Sequence, residues 1–469
     1  MPNTCRSMMM MLLMMLTLFS DPVAAAADQL SKLQYLKNSL FRRELLSGSA
    51  PHFSRLNGVG PVYDVRTYGA DPTGRNDSTE AILNALSDAF NKRSSNGTLI
   101  TDVYDLGGAQ VYLAGGTYTI SRPLRFPAPG AGNVQIHGGT IRASDAFPAK
   151  GYLIDLTPPH GAPKGVAYSY EFITLRNLLL DVNYRGGGIS ITNSLRTSID
   201  NCYVTHFTTE GIISRGGHET SIHNSFLGQH ITGGGDPKER DFSGTAITLA
   251  GNDNIVTDVV VFSAATGVFI SGQANILTGV HFYNKATALG GTGIYVKLPG
   301  RTLTRIVNCY MDYTGIVAED PVQLLIANSL FIGDAYVLLK SVNGVIDGVN
   351  IVDNQFSGSN QQNGIVQLDE SKTPFNKVGS VLVDRNVART IKIKSTVAKG
   401  LAQGNGTSWT VDFNPILLFP NRIDHVQYSV RVDDTALFPV HALRNTTGNI
   451  VVVESNVTVS ASVYVSVAQ

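Results

Sequence analysis

Carboxylates gather at one place in the chain. Glu210 stands just before the apolar run GIIS, and the next comparable run, AITL from 246, is approached through GGGDPKERDFSGT, which carries Asp236, Glu239 and Asp241. Two carboxyls on loops that enter equivalent strands of successive repeats can share one cleft. Clustered like charges then raise one pKa while another group stays ionised. One protonated and one ionised carboxyl equip a site for general acid–base catalysis, and at roughly 6.5 to 9.5 Å apart they would hydrolyse a glycosidic bond with inversion. PKER alternates charge and would be soluble on any surface loop. In favour of a site, the interval Asn224 to Asp258 is the longest in the repeat region, and insertions over a solenoid groove build its binding wall. Spacing leaves open which carboxyl is acid and which is base.

The elements that would position these groups repeat. Asn177, Asn201, Asn224, Asp258, Gly279, Asn308, Asn328 and Asn354 sit in one pattern of apolar, any, small polar, any, apolar residues. The unit is about 20 to 24 residues and tolerates insertions, as solenoids do. Each unit carries a second short apolar run, such as GISI at 188 or GVFI at 267. Gly and Asn would interrupt a helix at every second turn, so the runs are strands. Stacked in parallel about 4.8 Å apart, they bury a continuous core that no unit could bury alone. The expected fold is all-β: a right-handed parallel β-helix with a short N-terminal capping helix and a small C-terminal antiparallel β domain. Asparagines at one coil position are expected at a turn with positive φ, their amides forming a ladder.

The boundaries follow from changes of pattern. Residues 61–395 hold the β-helix with its N-terminal cap, where Asn76-Asp77-Ser78 supplies N-cap residues and Ile82, Leu83, Leu86 and Phe90 form a helical stripe. Residues 396–469 read as antiparallel strands, among them HVQYSVRV (425–432) and VTVSASVYVSV (457–467), forming a second cap or a sugar-contacting module. Cys202 and Cys309 fall four coil steps apart, about 19 Å, too far for a disulfide. Two free buried thiols are expected.

Composition narrows the function classes. With 36 Lys+Arg against 36 Asp+Glu the net charge is zero, so nothing favours nucleic acid or an anionic membrane as partner. No spacing of metal ligands or phosphate loop occurs, and no metal or cofactor is expected. Residues 1–27, with Arg6 before the run Met8 to Phe19, read as a cleaved signal peptide. Residues 28–60 read as an amphipathic helix (Leu30, Leu33, Leu36, Leu40, Phe41) and linker. No later segment is long and apolar enough to span a bilayer, so a secreted extracellular monomer is expected. Five N-x-S/T sequons, at Asn76, Asn96, Asn405, Asn445 and Asn456, fit a secreted glycoprotein.

YDVRTYGADPTGRNDSTEAILNAL (63–86) followed by VYLAGGTYTI (111–120) resembles the opening of pectate-lyase-like β-helix proteins. Within that group the chain from 61 to about 400 is similar to plant polygalacturonases of the Quartet type, related to glycoside hydrolase family 28. The resemblance implies metal-free, inverting hydrolysis of α-1,4-galacturonan in the cell wall by aspartates from neighbouring coils, with a basic pair holding the uronate. The family's Asn-Thr-Asp-Gly resembles Thr208-Thr209-Glu210-Gly211; Asp241 lies nearest the register of its paired aspartates, with Asp236 and Glu239 as rivals. Its Gly-His-Gly resembles Ala265-Thr266-Gly267, without the histidine, and its Arg-Ile-Lys resembles Tyr295-Val296-Lys297. Glu210, Asp236 and Asp241 are therefore the candidate catalytic residues. Homogalacturonan, the implied substrate, needs cations because each buried uronate must be paired. Lys297 leads, with Lys285 and Arg301 behind it, Tyr295 beside it, and His230 at a turn with His206 and His281. Two other readings are a Ca²⁺-dependent pectate lyase and a glycan-binding protein without turnover.

Overall fold

Short runs that alternate inward apolar and outward polar residues close each coil of the solenoid. The computed structural model describes residues 60–91, 97–100, 102–127, 129–158, 168–230, 243–283, 291–434 and 437–469, all within the unit Gly60–Gln469. Three ladders of parallel strands run along the β-helix. Sheet 1 stacks Tyr152–Leu156, Gly187–Thr192, Glu210–His218, Thr245–Asn252, Thr266–Ile270, Thr292–Val296, Ile316–Glu319, Val337–Lys340 and Val366–Asp369. Sheet 2 includes Ser221–His223, Ile255–Thr257, Ile276–Thr278 and Arg305–Val307, and sheet 3 includes Phe226–Gly228, Val260–Val261, His281–Phe282 and Tyr310–Asp312. Within one coil the chain passes from sheet 1 to 2 to 3. In sheet 1 the inward columns are apolar and fully buried, for example Ile212, Ile247, Val268 and Ile294.

The repeated polar residue sits at the turn from sheet 2 to sheet 3. Asn177, Asn201, Asn224, Asp258, Gly279, Asn308 and Asn328 all have φ between 49° and 63°, the left-handed conformation that Asn, Asp and Gly adopt most readily. In the following coil Asp353, at φ 58°, holds that place, and Asn354 comes one residue later, pointing into the core. The exposed amide ladder is short: Asn201 Nδ2 donates to Asn177 Oδ1 at 2.9 Å, whereas Asn224 Nδ2 turns to Asp200 Oδ1 at 3.0 Å. A fully buried ladder stands instead at the turn from sheet 1 to sheet 2. Asn254 Nδ2 donates to Asn275 Oδ1 at 2.9 Å and Asn254 Oδ1 accepts from the Thr220 amide at 3.0 Å. Cys202 and Cys309, each next to a left-handed residue, are free and buried as expected.

Both ends are covered. Helix α1, Thr79–Asn91, starts where the Ser78 carbonyl accepts the Ile82 amide at 3.1 Å. It buries Ile82, Ala85, Leu86, Ala89 and Phe90, with Leu83 partly buried. Phe90 meets Phe126 edge to face at 5.2 Å and Tyr170 at 6.3 Å. After the last coil, Val397–Asp412, His425–Val432, His441–Asn445 and Ile450–Ala468 form an antiparallel sheet with its own core around Trp409, Phe413 and Val463. Leu418 and Phe419 leave that domain and pack into the β-helix core.

Candidate active site

Glu210 opens its strand of sheet 1 beside a place where no side chain fits. A Cβ on Gly211 would lie 2.6 Å from the Ala246 carbonyl oxygen, so neighbouring coils approach closely and the preceding residues hold a common register. Glu210 pairs with Thr245, Thr245 with Thr266, and Thr266 with Thr292. The Glu210 carboxylate is 24 % exposed and has one hydrogen-bond donor and one cation beside it. The Tyr152 hydroxyl donates to Oε2. Arg215 Nη2 lies 3.9 Å from Oε1 and donates to the Tyr152 hydroxyl at 3.2 Å, while its guanidinium carbon stands 5.7 Å from the centre of the Tyr152 ring. Burial, and then the bond to Glu210, push the Tyr152 phenol above its ordinary value, so it remains a donor. Arg215 and Tyr152 belong to this site, and the sequence motifs pointed to neither.

Asp236, Asp241, Glu239 and Lys285 lie outside the described residues, as do Asn96 and everything before Gly60. Both ends of the segment 231–242 are described. Gln229 Oε1 accepts from the Ser243 amide at 2.9 Å and its Nε2 donates to Ser243 Oγ at 2.5 Å, and Thr245 then pairs with Glu210. The described residues on either side of 231–242 are thus joined to each other and, through Thr245, to the Glu210 strand.

The other candidates spread along two faces. Tyr295 follows Ile213, Thr248 and Phe269 in an outward column of sheet 1, its ring meeting Phe269 at 5.9 Å. Its hydroxyl donates to Glu319 Oε1 at 2.5 Å; burial and this bond push the phenol up to about 12. Lys297 is exposed, two residues further on in the column that begins with Arg215. Three coil steps, about 14 Å, separate it from Arg215, so the cation beside Glu210 is Arg215. Glu319, Lys340 and Asp369 continue the Lys297 column with alternating charge. Arg301 is exposed in the turn after Pro299. His230 is buried at the end of sheet 3: its amide donates to Ser263 Oγ at 2.8 Å and Nδ1 lies 3.1 Å from the Tyr184 hydroxyl. His206, 2.7 Å from Asp181, packs on the same tyrosine. His281 lies further along sheet 3 against Tyr283 and Tyr310.

Of the sequons, Asn76, Asn405 and Asn456 are exposed and Asn445 is half-buried. No helix among the described residues is long and apolar enough to cross a membrane.

Residues 62–316 match the family described as rhamnogalacturonase A/epimerase, pectate lyase-like. The chain is 57 % identical over 443 residues to "Polygalacturonase QRT3" of Arabidopsis thaliana, covering 94 % of this chain and 91 % of that one. Among solved structures it is similar to ORF18 of Geobacillus virus E2, with a TM-score of 0.54 at 14 % identity over 85 % of this chain and 75 % of the other. It is also similar to the A-module of mannuronan C-5 epimerase AlgE4 of Azotobacter vinelandii, with a TM-score of 0.46 at 16 % identity over 71 % and 97 %. The match over residues 62–316 and the 57 % identity make the chain a member of the pectate lyase-like superfamily and, within it, of the pectin-active glycoside hydrolase family that includes the polygalacturonases of Quartet type.

Proposed function

We propose that the protein is itself a polygalacturonase, hydrolysing α-1,4-galacturonosyl bonds of homogalacturonan with inversion. The observation that carries this reading is Glu210: an outward carboxylate held by Tyr152 and Arg215, with a segment bearing three more carboxyls rooted in the adjacent coil at Ser243 and Thr245. The Tyr152 donor and the Arg215 cation face the carboxylate form of Glu210, the form that can accept a proton from the attacking water. Asp236 or Asp241, crowded by like charges, then serves as the acid that protonates the leaving oxygen. Lys297, an exposed cation on the same face, binds a uronate carboxylate further along the chain, with Arg301 and Lys285 as supporting cations. The Tyr295 ring, beside Phe269, offers an apolar face to a sugar. His230, buried and bonded to Tyr184, steadies the turn behind the site.

The same reading includes the expected domain boundaries, removal of residues 1–27, secretion to the cell wall as a monomer, and glycosylation at the five sequons. The test is reducing-end release from demethylated homogalacturonan in chelator by the purified mature protein, beside Glu210→Gln, Asp236→Asn and Asp241→Asn. Loss of about 10²–10⁴-fold in Glu210→Gln and in one aspartate variant supports an acid–base pair. A parent that binds the polymer without turnover between about pH 4 and 7 would make it a binding protein instead. Activity abolished by chelator and restored by Ca²⁺, with an unsaturated product, would make it a lyase.

A further inference from the structure

Sheet 1 is incompletely paired where the coils end. Its last strand, Val366–Asp369, pairs with Val337–Lys340 on one side; on the other, among the described residues, only the single bridge from Gly364 to Lys392 follows. A cleft of about 340 Å³ lies beside this edge, between the last coil and the segment that enters the C-terminal domain. It is lined by Gln362, Asn363, Gln367, Glu370, Lys394 and Leu418, among others. The Lys394 ammonium donates to the carbonyls of Asn414 at 3.2 Å and Leu417 at 3.1 Å. An ammonium has three N–H donors, so one is left for a ligand in the cleft. The lysine stem is fitted closely: a Cβ on residue 364 would lie 2.9 Å from Lys394 Cγ, and Gly364 leaves that space.

The chemistry of the lining selects a ligand class. Three side-chain amides line the cleft; Gln367 Nε2 gives one N–H to the Gly364 carbonyl at 3.3 Å and keeps its second N–H and Oε1, and those of Gln362 and Asn363 supply the paired donors and acceptors that vicinal hydroxyls require. Lys394 offers a cation to a carboxylate, Leu418 with Pro420 offers an apolar wall, and Glu370, the one carboxylate of the lining, is occupied by the Phe375 amide at 2.7 Å. An acidic polyhydroxylated chain meets all three. The position selects the same ligand, because Gln367 is the last member of the outward column Ile213, Thr248, Phe269, Tyr295, Val317, Leu338, Gln367. Six coil steps, about 29 Å, separate the strand of Glu210 from that of Gln367 along one continuous face.

We propose that this cleft is a distal subsite for a uronate polysaccharide, gripping the chain several sugar units from the bond to be cut. The proposal rests on the reading that sheet 1 carries the pectin-cleaving site. It makes the enzyme one that favours long polymers, because a second contact on the same chain adds avidity only when the chain spans both.

The experiment is calorimetric titration of the mature protein, in chelator, with polygalacturonate and with trigalacturonate, for the parent, Lys394→Met and a Gln362→Ala/Gln367→Ala double variant. The double variant leaves the Lys394–carbonyl bonds alone but removes the Gln367–Gly364 bond, so the denaturation midpoint of each variant is measured beside its affinity and must match the parent's. Both variants should bind the polymer roughly tenfold or more weakly, as for loss of a charge-assisted or paired hydrogen bond, with trimer binding unchanged. Parental polymer affinity in both variants, or equal loss for trimer and polymer, overturns the subsite. Lys394-dependent polymer binding by a parent that releases no reducing ends would sink the hydrolase reading and leave the subsite standing. Normal turnover with a parental KM for polymer in Lys394→Met would do the reverse.

Discussion

The Tyr295 hydroxyl reaches Glu319 in the next coil at 2.5 Å, and Tyr152 reaches Glu210 across two coil steps of the same sheet. In both pairs the phenol comes from an earlier strand and the carboxylate from a later one. The two acids differ in surroundings. Glu319 is 7 % exposed, whereas Glu210 opens toward solvent beside Arg215. Tyr295→Phe therefore leaves a buried carboxylate short of a donor and should destabilise the fold by about 1–3 kcal/mol, read by chemical denaturation. A stability equal to the parent's would show that Glu319 draws its support from elsewhere.

Tyr152→Phe tests the other pair, and its expected readout is rate. Removing a hydrogen bond to a charged group is worth about 1.5–3 kcal/mol, roughly ten- to a hundredfold in turnover if the bond holds Glu210 in place for the reaction. Arg215→Met should act in the same direction. Unchanged kcat in both variants would remove Glu210 from the chemistry or its neighbours from positioning it.

The repeat, and with it the fold, was legible because burial forces a period on the sequence. Left-handed turns recur at Asn177, Asn201, Asn224 and Asn308, and few residues other than Asn, Asp and Gly are comfortable there. At IVDNQF the pattern points to Asn354, but the left-handed residue is Asp353; the two stand side by side and only the backbone tells them apart. The buried Asn254–Asn275 ladder is harder to read because it belongs to another turn and occupies only two coils there, the same place holding Thr220 before and Thr304 after. Tyr152 and Arg215 could not be tied to Glu210 from the sequence for a related reason. Periodicity tells which residues point outward; it does not tell which meet across coils when partners are 58 positions apart, as Tyr152 and Glu210 are.

Asn254 offers a test of that buried ladder. Its amide satisfies the Thr220 amide, the Gly251 carbonyl and Asn275 together. Asn254→Ala should orphan these groups and cost about 1–3 kcal/mol for each one left without water. Asn201→Gly, at an exposed left-handed turn, should cost less than about 1 kcal/mol, since glycine accepts that conformation. Equal losses measured by urea denaturation would refute the distinction.

The N-terminal plug is a packing prediction. Phe90 on α1 closes the first coils against Phe126 and Tyr170, and Phe90→Ala should cost about 3–5 kcal/mol. Local fraying of the helix alone would appear as faster hydrogen exchange in 79–91 with an unchanged global midpoint, and that outcome would show that the plug does not support the solenoid.

The solenoid core also fixes how stability should depend on pH. Burial pushes the Cys202 and Cys309 thiols from an ordinary 9.0 up to about 12, and burial with the Glu319 bond does the same for Tyr295 from 10.0. Groups raised in the folded state keep their protons while the unfolded chain has released them. Their contribution is complete below about pH 9 and is lost as pH climbs toward 12. At the acid end the signs reverse. The Thr73 hydroxyl and amide hold the Asp71 carboxyl below its ordinary 3.8, and the Asn360 amide does so for Asp334, so stability is lost only as pH falls below about 4. Denaturation midpoints should therefore form a plateau across the acidic and neutral range and fall on both sides. Cys202→Ala/Cys309→Ala should flatten the alkaline limb and leave the acid limb unchanged; an alkaline limb of parental slope in that variant would mean that the buried thiols do not titrate with unfolding.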